Sequence, residues 1–203
     1  MLMNMGNGIG MKKPTELVKA VYREHIQRFG EPDQSIRYDN PPSYNPDIYP
    51  SYIDVMVWPP EEDFNMTTFS TIGMSEKPMN GAEHRVELHL SIAESLSKEL
   101  TSKITIFLAN LSLYPFMNST YFDWWHTLPN VGSIPGFEST PSILLHPAFV
   151  KDGWDLVCAE GSHVKILNVI PITKEEHALS KEKGINELLD YLEDNKISYF
   201  ERR

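Results

Sequence analysis

Phe69-Ser70-Thr71-Ile72-Gly73-Met74-Ser75-Glu76-Lys77-Pro78-Met79 reads as a strand that breaks at a glycine and runs into a polar turn. β-Branched and aromatic residues fill its first half, and Gly, Ser and Pro supply the bend. A cleaner strand starts just after it: from Arg85 to Ile92, Val86, Leu88, Leu90 and Ile92 alternate with Glu87 and His89. Tyr52 to Trp58, with Ile53, Val55 and Val57 against Asp54 and Met56, is a third candidate just before it. The loops between the three, Pro59 to Asp63 and Pro78 to Gly81, are short enough for neighbouring antiparallel strands. The opening stretch holds no nucleophile and base pair and no metal-ligand spacing, so it reads as scaffold at the centre of a sheet. Gly73 supplies a backbone conformation or a close approach that a side chain would block, and Pro78 stops the strand.

Working outward towards the N-terminus, residues 31–50 carry Pro32, Pro41, Pro42, Pro46 and Pro50 among Asp, Asn, Ser and Tyr. They are expected to form a long loop with no regular ladder, laid against the body by Tyr38, Tyr44, Tyr49 and Tyr52. Before it, Leu17, Val18, Val21, Tyr22, Ile26 and Phe29 recur at helical spacing between Pro14 and Gly30. Met1 to Gly10 lacks a basic n-region and an apolar h-region, so it is no secretory signal. Residues 1–12 are expected to be a flexible tail, with Met11 an alternative start, and 13–203 a single domain.

Towards the C-terminus, Leu96, Leu100, Ile104, Phe107, Leu108 and Leu111 switch to helical period, predicting a buried helix over 96–113 that ends near Pro115. From Tyr114 to Pro141 the chain is irregular and rich in aromatics. Ser142 to Leu145, Trp154 to Ala159 and Val164 to Ile172 read as strands, the last two joined by the turn Glu160-Gly161-Ser162-His163. Thr173 with Glu176 makes a capping box for a helix that Gly184 ends. A last amphipathic helix carries Ile185, Leu188, Leu189 and Leu192 on one face.

The 203 residues include 28 Asp and Glu against 18 Lys and Arg, a formal net charge of −10. That balance opposes nucleic-acid binding, which needs clustered cations, and suits solubility or a basic protein partner. No apolar stretch is long enough to span a membrane. The single cysteine, Cys158, forms no internal disulfide and reads as a packed thiol in a reducing compartment, so the expected location is cytoplasmic. The Asn110 and Asn118 sequons carry no meaning there.

None of the seven histidines shows paired metal-ligand spacing, and His84 and His89, five apart on a strand, point to opposite faces. Gly6, Gly8 and Gly10 follow no strand, so they make no phosphate loop. Glu175, Glu176 and His177 read as a solvated helix start. No cofactor is expected. The most informative cluster is Asp123-Trp124-Trp125-His126. Adjacent tryptophans cannot both face the core of one strand, so either one lines a surface groove or both are buried beneath a loop. The His126 imidazole, beside rings and a carboxylate, either binds a partner or fixes the loop.

The run Thr71 to Met79, the strand Arg85-Val86-Glu87-Leu88, the step Trp125-His126-Thr127 and the segment Val164 to Thr173 followed by Glu175-Glu176 together resemble the suppressor-of-fused domain over about residues 50–195. The resemblance implies an α/β (α+β) domain with a mixed central sheet flanked by helices, and no catalytic residues. Animal suppressor of fused adds a C-terminal region and sequesters a zinc-finger transcription factor in Hedgehog signalling, and this chain stops short of such a region. Small single-domain bacterial relatives are associated with immunity proteins of polymorphic toxins. The expected function is therefore a non-enzymatic protein-binding domain of immunity type, monomer or homodimer, whose partner is a protein such as a cognate toxin. Its binding residues are expected to be Trp58, Asp123, Trp124, Trp125 and His126. The rivals are a regulatory module that sequesters another protein and a hydrolase using His126 with Asp123.

Overall fold

The computed structural model describes residues 13–41, 43–62, 65–147 and 153–203. The expected N-terminal tail, with Met11 and the glycines Gly6, Gly8 and Gly10, lies outside the described residues. In chain order the elements are α1 (Glu16–Phe29), β1 (Gln34–Asp39), β2 (Tyr52–Trp58), β3 (Thr67–Ile72), a 3-10 turn (Met74–Glu76), β4 (Arg85–Ile92), α2 (Lys98–Met117), β5 (Thr127–Leu128), β6 (Ser142–Pro147), β7 (Leu156–Ala159), β8 (Ser162–Ile172), α3 (Lys174–Lys183) and α4 (Ile185–Asp194).

The strands form one mixed sheet ordered β1-β2-β3-β4-β8-β6-β5, with β7 pairing the first half of β8. β1 to β4 are an antiparallel meander. β8 then lies parallel to β4, with Arg85 opposite Val164, and antiparallel to β6 and β7. The two-residue turn Glu160-Gly161 joins β7 to β8, and both residues have positive φ, at 50° and 69°. That is the backbone a primed hairpin turn demands.

Helices cover both faces of the sheet. On one face Ile53, Val55, Val57, Phe69, Leu88, Leu90 and Leu167 pack against Ile104, Leu108, Leu111 and Phe116 of α2. On the other, Met56, Trp58, Ile72, Val164 and Ile166 pack against Leu17, Val18 and Val21 of α1, and Leu144, Ile170 and Ile172 against Leu188 and Leu192 of α4. Both faces of the central strands are therefore buried, which is why β3 is buried along its whole length. Thr15 caps α1, Ser97 caps α2, and Thr173 with Glu176 forms the reciprocal capping box of α3.

Four expectations need correction. The proline-rich stretch 31–50 contains β1, because the prolines flank Gln34–Asp39 and leave it free to pair with β2 as an edge strand. Tyr38 in that strand is buried, its hydroxyl hydrogen-bonded to Thr105 Oγ1 at 2.7 Å. α2 runs through Pro115 to Met117: the ring removes one N–H a turn from the end, and burial of Leu113, Pro115 and Phe116 offsets the loss. Cys158 is exposed, because it alternates with buried Val157 on the short strand β7. Glu176 is not at a solvated helix start; it is 4% exposed and paired with Arg203, whose Nη2 also donates to the Pro171 carbonyl at 2.8 Å.

Candidate partner-binding surface

After α2 the chain turns back to join β6, and the dipeptide Trp125-His126 is clamped there. The Trp125 N–H donates to the Leu145 carbonyl at 2.6 Å, and the Leu145 N–H donates to the His126 carbonyl at 2.8 Å. Trp125 has φ +70°, a strained conformation for a bulky residue. The kink separates the two indoles. Trp124 turns inward against the α2-side core, and the Lys165 ammonium sits over its ring at 4.2 Å. Trp125 turns outward, 38% exposed, edge-on to His146 at 4.5 Å between ring centroids.

Asp123 fixes the inward half of this corner. Its carboxylate accepts the Lys165 ammonium at 2.5 Å and the Trp124 N–H at 2.7 Å, with His84 Nε2 at 3.8 Å. Partial burial works to raise this carboxyl, and Lys165, Trp124 and His84 outweigh it, holding the group below its ordinary value. The Trp124 indole N–H has no acceptor among the described residues. The His126 ring lies tilted against Tyr121, 5.2 Å between centroids, and no hydrogen bond joins it to the Asp123 carboxylate. Beside it opens a cavity of about 470 Å³ lined by Tyr121, Trp125, His126, Thr127, Lys181 and Ile185.

The structure thus brings Asp123, Trp124, Trp125 and His126 into one corner and leaves Trp58 out of it. Trp58 lies on β2, 5% exposed, its indole N–H donating to the Gly30 carbonyl at 3.0 Å beneath α1. β3, β4, β8 and β6 separate it from β5. An aromatic ending an alternating strand carries no signal to tell such a core residue from an anchor. Lys165 was missed for the converse reason: it reads as the polar position between Val164 and Ile166, and only the sheet order places it over Trp124.

The sequence also gave no sign of a buried polar row. Ser70, His89, Asn168 and His146 are neighbours in register across β3, β4, β8 and β6, all buried. His25 descends from α1 onto Ser70. Its Nδ1–H donates to the Val21 carbonyl at 2.8 Å, so Nε2 accepts the Ser70 hydroxyl at 2.7 Å. Burial lowers His25 to about 4, and burial with the nearby His25 lowers His89 to about 3. Both are therefore neutral near pH 7. Ser70 is fully buried, so this pair is a fastening between helix and sheet. Among the described residues no three His, Cys, Asp or Glu groups converge to hold a metal ion, and no helix is long and apolar enough to cross a membrane.

The architecture is that of a mixed-sheet α/β domain with helices on both faces, the class the suppressor-of-fused resemblance led us to expect. The chain belongs to the suppressor of fused protein family, whose family model matches residues 50–202. Among solved structures, it is similar to one in the Sufu–Fu complex, with TM-score 0.63, 14% identity and coverage of 90% of this chain and 84% of that one. It is also similar to a suppressor of fused homologue from Neisseria gonorrhoeae FA 1090, with TM-score 0.63, 15% identity and coverage of 90% and 91%. For Drosophila Suppressor of Fused the values are TM-score 0.60 and 11% identity, and 90% of this chain spans 46% of that protein. At these identities the likeness shows the fold. No curated protein sequence matches.

Proposed function

We propose that this chain is a small bacterial-type member of its family, a non-enzymatic, cytoplasmic protein-binding domain of immunity type that neutralises a polymorphic toxin by binding it directly. The observation that carries the reading is Trp125, a large ring held outward by a strained backbone beside an aromatic-lined cavity. An exposed indole with its backbone pinned at both ends is pre-organised, so little freedom is lost when a partner covers it. Asp123, Trp124 and Lys165 form the rigid base beneath that anchor. The net charge of −10 favours approach of a basic partner.

The separation of His126 from the Asp123 carboxylate, which Lys165 occupies, argues against the hydrolase reading. A regulatory module that sequesters another protein is the second reading, supported by the similar structure having been solved as a complex of Sufu with Fu. The test is co-purification of the chain with the products of its neighbouring genes. A saturable complex that protects cells from the neighbour's toxicity, weakened at least about tenfold by Trp125→Ala, is the expected result. Binding without any toxicity to relieve favours the regulatory reading, and no complex with any neighbour rejects the immunity reading.

A further inference from the structure

A second cleft lies at the other edge of the sheet from β5, between the first turns of α1 and the β1–β2 pair. It encloses about 340 Å³. Its apolar part is Pro14, Val18 and Ile72. One wall is rigid. Arg37 and Asp54 are cross-strand partners, joined by two hydrogen bonds, Nε to Oδ1 at 2.8 Å and Nη2 to Oδ2 at 2.7 Å. The same guanidinium lies over the Tyr52 ring, 3.9 Å from its centroid. Asp54 is thereby neutralised.

Two features of this cleft point to a ligand. Tyr52 lines it and is 4% exposed, yet its hydroxyl makes no hydrogen bond with any described residue. Burial, the largest cause, pushes that hydroxyl up to about 12, so it stays a donor, open to an acceptor in the cleft. At the mouth stand two further cations, Lys19, which meets Glu16 on the exposed side of α1, and Arg23, which makes no ion pair among the described residues. With Arg37 held by Asp54 and Lys19 by Glu16, Arg23 leaves one cation in excess at this cleft in a chain of net charge −10. Residues 1–12 contain no Asp or Glu, so the adjoining N-terminal stretch has no side-chain carboxylate to offer.

We propose that this cleft binds a small organic carboxylate with a compact apolar body, of the arylalkanoate or medium-chain alkanoate type. The body rests on Val18 and Ile72, and the carboxylate accepts from the Tyr52 hydroxyl and faces Lys19 and Arg23. The volume, at the low end of the roughly 300–1,000 Å³ of small-ligand sites, suits one ring and a short chain. The site is independent of the Trp125 surface.

The test is titration of the isotopically labelled full chain with 3-phenylpropanoate, hexanoate, neutral 3-phenylpropanamide, and a short peptide ending in Phe with a free carboxyl group. Saturable shifts confined to residues 14–23, 37, 52–54 and 72 are expected from the two acids, with the amide about fivefold weaker or worse. Tyr52→Phe keeps the ring beneath Arg37, and the double variant Lys19→Ala/Arg23→Ala changes only the helix surface, so both fold. Each is expected to weaken the acids about threefold or more. Equal binding of acid and amide, variants that bind unchanged, or shifts elsewhere overturn the proposal. So does a peptide that binds where the free acids do not, which marks the cleft as a dock for a chain terminus.

Discussion

The Glu87 carboxylate accepts the backbone N–H of Gly73 at 2.9 Å, in the middle of the sheet and with both residues buried. The same oxygen takes the Ser75 N–H at 3.0 Å and the Ser75 hydroxyl at 2.7 Å, and the other takes the Thr71 hydroxyl at 2.8 Å. Two residues earlier on β4, Arg85 donates to the carbonyls of Ser75 and Glu76 at 3.0 and 2.8 Å. The turn after β3 therefore sends its donors to one β4 side chain and its acceptors to another. Its conformation is built by the neighbouring strand.

Glu87→Gln is expected to keep this turn. The amide oxygen can take the three donors now on Oε1, and the amide N–H can donate to Thr71 once that hydroxyl rotates towards the Leu88 carbonyl. Glu87→Leu strands two buried backbone N–H groups, at about 1–3 kcal/mol each. Denaturant midpoints near pH 4.5, where native Glu87 is neutral, should show the Gln protein close to wild type and the Leu protein about 3 kcal/mol or more less stable.

Stability should depend on pH through the same residue. Burial, only partly opposed by its hydrogen bonds, raises Glu87 from 4.5 to about 7. Between those values the native state holds a proton the unfolded chain has lost, so this contribution to stability falls as pH rises from about 4.5 to about 7 and is flat above. His25 and His89 act oppositely: lowered from 6.5 to about 4 and about 3, they cost stability as pH falls below about 6.5. The stability of Glu87→Gln relative to wild type should rise across pH 4.5–7 by on the order of 3 kcal/mol. Unfolding curves taken in half-unit steps of pH check this.

Gly73→Ala should destabilise strongly. Gly73 has φ +117°, and an added Cβ would stand 2.6 Å from the Tyr52 carbonyl oxygen, a backbone atom with nowhere to go. A loss of about 3 kcal/mol or more is expected in thermal melts, with β2 and β3 pushed apart.

Much of this centre was legible in the sequence. Period-two runs locate β2 and β4, β-branched and aromatic residues locate β3, and the close approach expected at Gly73 is present. Alternation could not assign Glu87 and His89 to a buried face, because a strand covered on both sides buries its polar positions as well as its apolar ones. β1 was hidden because proline counts over a 20-residue window mask the eight-residue gap between Pro32 and Pro41 that holds it. At the candidate surface the local cluster 123–126 was visible. Its partners Lys165, His84 and His146 were not, because they arrive from strands and loops that only the sheet order makes adjacent.

The two adjacent tryptophans should separate stability from binding. Trp124→Ala removes the ring beneath Lys165 and opens a hole in the α2-side packing, at about 3 kcal/mol. Trp125→Ala removes an exposed ring and a contact with His146, at about 1 kcal/mol or less, and relaxes no core. Melting temperature should drop several degrees for the first and little for the second, whereas partner capture should be lost in the second.

Arg203→Ala should be costly for a residue so far along the chain. It leaves Glu176 buried, with its cation and a hydrogen bond to Pro171 gone together. A loss of about 2 kcal/mol is expected by denaturant unfolding, after discounting for the partial exposure of the arginine.

The parallel pairing of β4 with β8 also has a consequence during synthesis. β1 to β4 can zip as local hairpins while they leave the ribosome, but the flank of β4 that β8 will occupy stays open until residues 162–172 have been made. Through that interval Val86, Leu88 and Leu90 sit on an unpaired, strongly apolar strand edge, the kind of template on which nascent chains aggregate. A ribosome stalled after β4 has emerged and before β8 has been made therefore presents chaperones with a half-sheet, and the arrival of β8 is the event that makes the molecule self-sufficient.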